Sequence, residues 1–430
     1  MRVKMNFILF ACLGALVLGC SGCSITTPDV EDLLRAPVLS RDYSDIQTAL
    51  MNRFDSTVQL KYPTEGTLLS PFALGDWDGD GAQDAVVLFT LEDSSMVLVG
   101  ILKQDENAEW QVVGTANGLS DTVISMEFAS LQSGQAQQIV ATFQAQGAQY
   151  LAVYAYQDGW LNTVFQQPCS QYLIEDITGN GTDDMILISS NDTGAVQMEL
   201  LTYSADGFTQ TLIPSFNEEP FTSYLNISTS AVGASRRYLV IDGFVGEGQT
   251  TVVSEMLWYN AASGTFECPS LASSQDLYAD SKRYSANLIS YDIDGDGAVE
   301  VPVQYATDAG VVNNVLGSPI TMIGWMDYTT YSSLTSFGIF DDEYNYYLAL
   351  PEEVRGNLLL IDGENEGEVE VRNLAGDVLY FTLRVVNFDQ VESDWHQIGT
   401  VASKQIQVKI GEEASDFLSA YILSKAVYLL

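Results

Sequence analysis

Beyond about Leu68 the apolar residues of this 430-residue chain fall in short runs of Val, Ile, Leu, Tyr and Phe, cut at close intervals by Gly, Asp, Asn and Ser. Runs of about four to eight such residues between turn formers predict β-strands, because alternate side chains face opposite sides of a sheet and β-branched and aromatic residues pack well there. Residues 85–90, 150–156 and 238–241 are clear examples. Helical periodicity is confined to the two ends. Near the start Ile46, Leu50 and Phe54 form one stripe at four-residue spacing, and Ser44 with Gln47 makes a capping box, which predicts a helix over 44–54. At the other end Phe417, Ala420, Tyr421, Leu423 and Val427 predict the apolar face of a helix within 412–430. The expected class is all-β, with a short N-terminal helix and a C-terminal extension of strands and a helix.

Three nine-residue acidic loops recur between strand-like runs: DWDGDGAQD at 76–84, DITGNGTDD at 176–184 and DIDGDGAVE at 292–300. They begin 100 and 116 residues apart, and half of either distance suits one four-stranded sheet with its loops. Midway copies without the acids run from Phe128-Ala129-Ser130 through Gly134 to Ile139-Val140, and from Ala231-Val232-Gly233 to 238–241. A sixth candidate runs from Glu352-Glu353 through Gly356 to Leu358-Leu359-Leu360. Sheets repeated in this way avoid exposed edges by radial closure, so the pattern predicts a β-propeller of about six or seven four-stranded blades. The propeller is expected over 64–364, after a spacer at 20–63 that carries the helix; 365–430 would supply closing strands or a small β domain with the terminal helix.

Composition narrows the functions. With 17 Lys and Arg against 57 Asp and Glu, the net charge of -40 repels polyanions and excludes nucleic-acid binding through phosphate contacts. A hydrophobic fraction of 47% with only 17% charged residues is enough for a large core, so the chain folds. The single histidine, His396, excludes zinc sites built on two histidines.

The acids of the loops are spaced for a hard dication. Ca²⁺ takes six to eight oxygens at about 2.3–2.6 Å, which side chains at loop positions 1, 3, 5 and 9 and a carbonyl at position 7 can supply. The first loop offers Asp76, Asp78, Asp80 and Asp84 with the carbonyl of Ala82, and the third Asp292, Asp294, Asp296 and Glu300 with that of Ala298. The second offers Asp176, Thr178, Asn180 and Asp184, half the charge, and is expected to bind more weakly. Two to three structural calcium ions follow from this reading. An EF-hand would need a glutamate at position 12, where these loops carry Val87, Leu187 and Val303. The alternative is a set of metal-free β-turns, in which the repeated acids would repel one another without compensation. The loops and their spacing resemble the FG-GAP and VCBS repeats of integrin α-subunit propellers and bacterial surface proteins, over about Leu68 to Ile361. That resemblance implies a calcium-bearing propeller.

The N-terminus reads as an address. Arg2 and Lys4 precede an apolar run from Phe7 to Leu18, too short to span a bilayer and suited to a signal peptide over 1–19. Val17-Leu18-Gly19-Cys20 resembles a bacterial lipobox, which implies lipidation at Cys20, with Cys23 as the alternative. The alternative is an ordinary secretory signal in which both cysteines are incidental. The expected location is the outer face of a bacterial membrane, held by the lipid, with the polypeptide in water.

No nucleophile elbow, P-loop or dinucleotide fingerprint is present. His396 lies in a polar turn and reads as structural, and no pair of carboxylates stands out for glycosidic chemistry. The aromatic stretch from Trp325 to Tyr347 reads as strand packing more readily than as a sugar platform. Cys169 and Cys268 are too few for a disulfide scaffold, though they could pair. The leading expectation is a non-catalytic calcium-binding surface protein with a protein or glycan partner. The alternative is a calcium-dependent polysaccharide lyase or glycosidase.

Overall fold

The computed structural model describes residues 41–430 apart from 135, 192, 233–235, 270–275, 305–310, 314–318, 330–331, 391 and 415–417. The signal peptide, Cys20 and Cys23 lie outside the described residues, as do Tyr331 and Phe417. Among the described residues the class is all-β, in six sheets that follow one another along the chain. The first sheet takes strands from 58–117, the second from 123–168, the third from 171–213 and the fourth from 221–267. The fifth joins strands from 301–349 to Val427–Leu429, and the sixth joins Val311–Asn313 to strands from 358–410. Pairing is antiparallel throughout except between Val311–Asn313 and the strand Leu358–Asp362.

Period-two burial stacks these sheets face to face. On strand Asp84–Leu91, Val86 and Leu88 pack against Val123, Ile139 and Phe143 of the second sheet, while Val87 and Phe89 turn the other way. On strand Asp184–Ser190, Met185 and Leu187 meet Val140, Leu151 and Val153 of the second sheet, whereas Ile186 and Ile188 meet Leu239, Ile241 and Val253 of the fourth. Such doubly buried strands read as near-continuous apolar runs. Each fully buried Val, Leu or Ile adds about 1.5–3 kcal/mol of transfer free energy, so these interfaces dominate the fold.

The two ends of the row are covered differently. The helix Arg41–Phe54 lies on the outer face of the first sheet, burying Ile46 and Leu50 against Phe72, Val87, Phe89 and Trp110. Its apolar stripe is the one the sequence predicts, but the helix starts before Ser44, whose carbonyl accepts from Thr48 Oγ1 at 2.8 Å inside the helix; the capping box is not formed. The outer face of the sixth sheet is polar: Gln405 and Gln407 donate to the carbonyls of Phe388 and Gln390, and Arg384 lies 3.8 Å over the Trp395 ring. Among the described residues no buried cluster joins the sixth sheet to the first.

Two expectations are corrected. Residues 412–430 do not form one helix: a 3₁₀ turn Glu412–Ala414, a five-residue helix Ala420–Ser424 and a strand Val427–Leu429 take its place. Ser419 caps the short helix, Tyr421 is 73% exposed instead of facing the core, and the last strand pairs with Tyr346–Leu348. Edge pairing outweighs the helical period over so short a segment. The sixth repeat copy is not a strand pair either, since Glu352–Val354 is a 3₁₀ turn and Leu358–Asp362 finds a parallel neighbour elsewhere in the chain. The copy at 128–140 does form an antiparallel pair, and Trp325, Phe337, Phe340, Tyr346 and Tyr347 are buried as strand packing requires. Cys169 and Cys268 are not joined in a disulfide.

Candidate metal centres

The three acidic loops share one backbone design. Glycines at positions 4 and 6 take positive φ in every loop, from 71° at Gly179 to 92° at Gly297, a region that a side chain enters only with strain. The resulting fold points N–H groups at the position-1 carboxylate: Asp76 accepts from Gly79 and Gly81 at 2.8 and 2.9 Å, Asp176 from Asn180 and Gly181 at 3.0 Å, and Asp292 from Gly295 and Gly297 at 2.7 and 3.0 Å. Position 5 likewise accepts from the N–H of position 7, at Asp80, Asn180 and Asp296. Position 9 opens or immediately precedes the next strand and reaches back, Asp84 accepting from Trp77 N at 3.0 Å and Glu300 from Ile293 N at 3.0 Å.

This geometry gathers carboxylates. Asp76, Asp78 and Asp84 bring oxygens within 4.8 Å of one another, and so do Asp292, Asp294 and Glu300. Asp80 and Asp296 lie on the exposed side of their loops. At its four ligand positions the second loop has charge only at Asp176 and Asp184.

Burial makes the position-9 acids the informative ones. Asp84 and Glu300 are 0% and 1% exposed, so water cannot solvate their charge. Desolvation first, and then the neighbouring acids, push Asp84 up to about 6 and Glu300 up to about 7. Asp84 Oδ1 is buried with no hydrogen-bond partner. Buried carboxylates facing other carboxylates call for a cation, and the oxygen-only donor set fits a hard dication such as Ca²⁺.

The first loop already faces one. Lys103 Nζ binds Asp78 Oδ2, lies 2.5 Å from Asp80 Oδ2 and 3.9 Å from Asp84 Oδ1. Burial alone would lower the lysine, but the hydrogen bonds it donates to Asp78 and Asp80 overcome it and hold the ammonium above its usual range. The pairing Asp84↔Lys103 between strands Asp84–Leu91 and Leu98–Gln104 puts both side chains on one face. Extended by one residue, the corresponding register places Thr202 opposite Asp184 in the second loop and Asp327 opposite Glu300 in the third. Sequence reasoning missed Lys103 because it lies 19 residues beyond Asp84 and only strand register brings it back.

His396 is exposed on strand His396–Val401. A cleft of about 580 Å³ opens between the fifth and sixth sheets, lined by Asp341, Glu343, Asp362, Glu364 and Glu368, with Arg384 at its wall. Among the described residues no helix is long and apolar enough to cross a membrane.

No protein-family model matches the chain, and no curated protein matches it in sequence. Among solved structures it is similar to a rhamnogalacturonan lyase, at 11% identity and a TM-score of 0.25, over 58% of this chain and 61% of that one. A likeness of that size assigns no activity to this chain. The chain spans about three fifths of the length of that structure.

Proposed function

We propose that this chain is a calcium-stabilised surface protein, held to a bacterial membrane by a lipid on Cys20 or Cys23, whose six sheets act as the blades of a propeller-like scaffold that binds a protein or glycan without catalysis. The observation that carries the metal is the pair of clusters at Asp76, Asp78, Asp84 and Asp292, Asp294, Glu300, each built on a loop whose glycines and N–H groups fix the carboxylates in place. Ala82 and Ala298 would add main-chain carbonyls. The loop residues also support the likeness to FG-GAP and VCBS repeats. The metal serves the scaffold: with a dissociation constant of about 0.1 mM and about 1 mM free calcium, one site adds roughly 1.4 kcal/mol by mass action. The cleft between the fifth and sixth sheets is the concave surface a ligand would enter, and its carboxylates suit a basic protein face or a glycan carried with calcium.

The test is thermal unfolding of the purified protein in EDTA and in about 1 mM calcium. The expected rise is about 2–4 °C per occupied site, with the third loop's share lost in the Asp292→Asn, Glu300→Gln variant. Identical curves in EDTA and calcium would remove the metal from the reading.

A further inference from the structure

We propose that Lys103 is the resident cation of the first acidic loop: its tethered ammonium holds the place a dication takes in the third, so that the third loop, not the first, is the one that responds to calcium. The proposal rests on the calcium reading above and concerns which loop carries it.

Three observations support it. The ammonium binds Asp78, sits 2.5 Å from Asp80 and 3.9 Å from Asp84, and so engages two of the three carboxylates that would ligate a metal there. The buried Asp84 Oδ1, with no hydrogen-bond partner, has Lys103 as its facing charge. Strand pairing fixes this placement, because Asp84 and Lys103 are register partners, while the same register, extended by one residue, gives Thr202 to the second loop and Asp327 to the third. Counting these partners, the first loop carries four acids and one base, and the third five acids and no base. A calcium ion entering the first loop must displace an ammonium that is held at high effective concentration by its own strand.

The experiment is calcium titration calorimetry on the full chain in the Asp292→Asn, Glu300→Gln background, with Lys103 kept, or replaced as Lys103→Met or Lys103→Arg. Kept lysine and Lys103→Arg are expected to show no site tighter than about 1 mM, and Lys103→Met to gain one site at least about tenfold tighter, abolished by Asp76→Asn. Lys103→Gln serves as a second neutral variant if the methionine disturbs folding. No gain in either neutral variant overturns the proposal; if the unmodified protein still binds calcium through Asp292 and Glu300, the calcium reading stands without it. No calcium binding in any form, the unmodified protein included, overturns both. A first loop that binds tightly with Lys103 in place also overturns the proposal and leaves calcium binding intact.

Discussion

The first and third acidic loops have nearly the same sequence and opposite supports. Around the first, Phe72–Gly75 and Asp84–Leu91 form a hairpin paired from Phe72↔Val87 to Gly75↔Asp84, and Lys103 closes the acids. Around the third there is no such hairpin: a single bridge, Tyr291↔Glu300, joins the two legs. The incoming leg is fastened by side chains instead. Arg283, fully buried, donates from Nε to Leu288 O at 2.5 Å and pairs with Asp242 Oδ1 of the fourth sheet at 2.6 Å, while Asp242 Oδ2 accepts from Ser290 N at 2.7 Å. The loop itself docks on the fourth sheet, with Ala231 N donating to Gly297 O and Val299 N donating to Ser230 Oγ. A ligand set written in one short motif can thus be held by a ladder of backbone bonds or by one buried ion pair, and only the second leaves the acids without a resident cation.

Breaking that ion pair should give the largest effect. Arg283→Ala leaves Asp242 buried without its partner and is expected to cost about 3–5 kcal/mol, and to weaken calcium at the third loop while the first loop is unchanged. Chemical denaturation with calorimetry on the same samples checks both. Replacing the pair together, Arg283→Met with Asp242→Leu, should cost much less, because the penalty comes from the charge left alone. Equal losses in the single and double variants would show that the segment, not the charge, carries the stability.

A second buried acid, Glu255 on the strand Thr251–Asn260, has no such cation among the described residues. Desolvation pushes it up to about 7 against backbone donors that include Phe216 N. Its folded pKa lies above its unfolded value, so the folded state holds the proton more tightly. That contribution is complete below about pH 4.5 and is lost as pH rises toward about 7, at a cost of about 3 kcal/mol. Glu255→Gln should flatten this slope and raise stability at pH 8 by about 1–3 kcal/mol, with little change at pH 4. Melting curves across pH check it, and a slope unchanged by the substitution would place the titrating group elsewhere.

What the sequence conveys here is local. The strands at 85–90, 150–156 and 238–241, the stripe Ile46, Leu50, Phe54 and the acids of the loops are all set by residues close together in the chain, and the observed strands contain the predicted ones. Lys103, Asp327 and Arg283 were not legible because their roles depend on strand register or on a partner 41 residues away at Asp242. The C-terminal segment failed for the same reason. Val427 continues the helical spacing of the residues before it, yet Val427–Leu429 forms a strand against the edge at Tyr346–Leu348.

The second loop isolates charge from support, and there the smallest effect is expected. It has the hairpin of the first loop, with Glu175↔Asp184 closing the pairing, but a neutral Thr202 where the first loop has Lys103 and the third has Asp327. Its position 5 is Asn180, whose Oδ1 only accepts, from Thr182 N at 2.7 Å and Thr182 Oγ1 at 2.6 Å. Asn180→Asp keeps both bonds and adds one charge, so stability in EDTA should change by no more than about 0.5 kcal/mol. In calcium the added carboxylate should tighten the site about tenfold, seen as a further rise in melting temperature worth about 1 kcal/mol. Should calcium affinity stay the same, ligand charge would not be what separates the loops, and the difference between the first and third would belong to their supports alone.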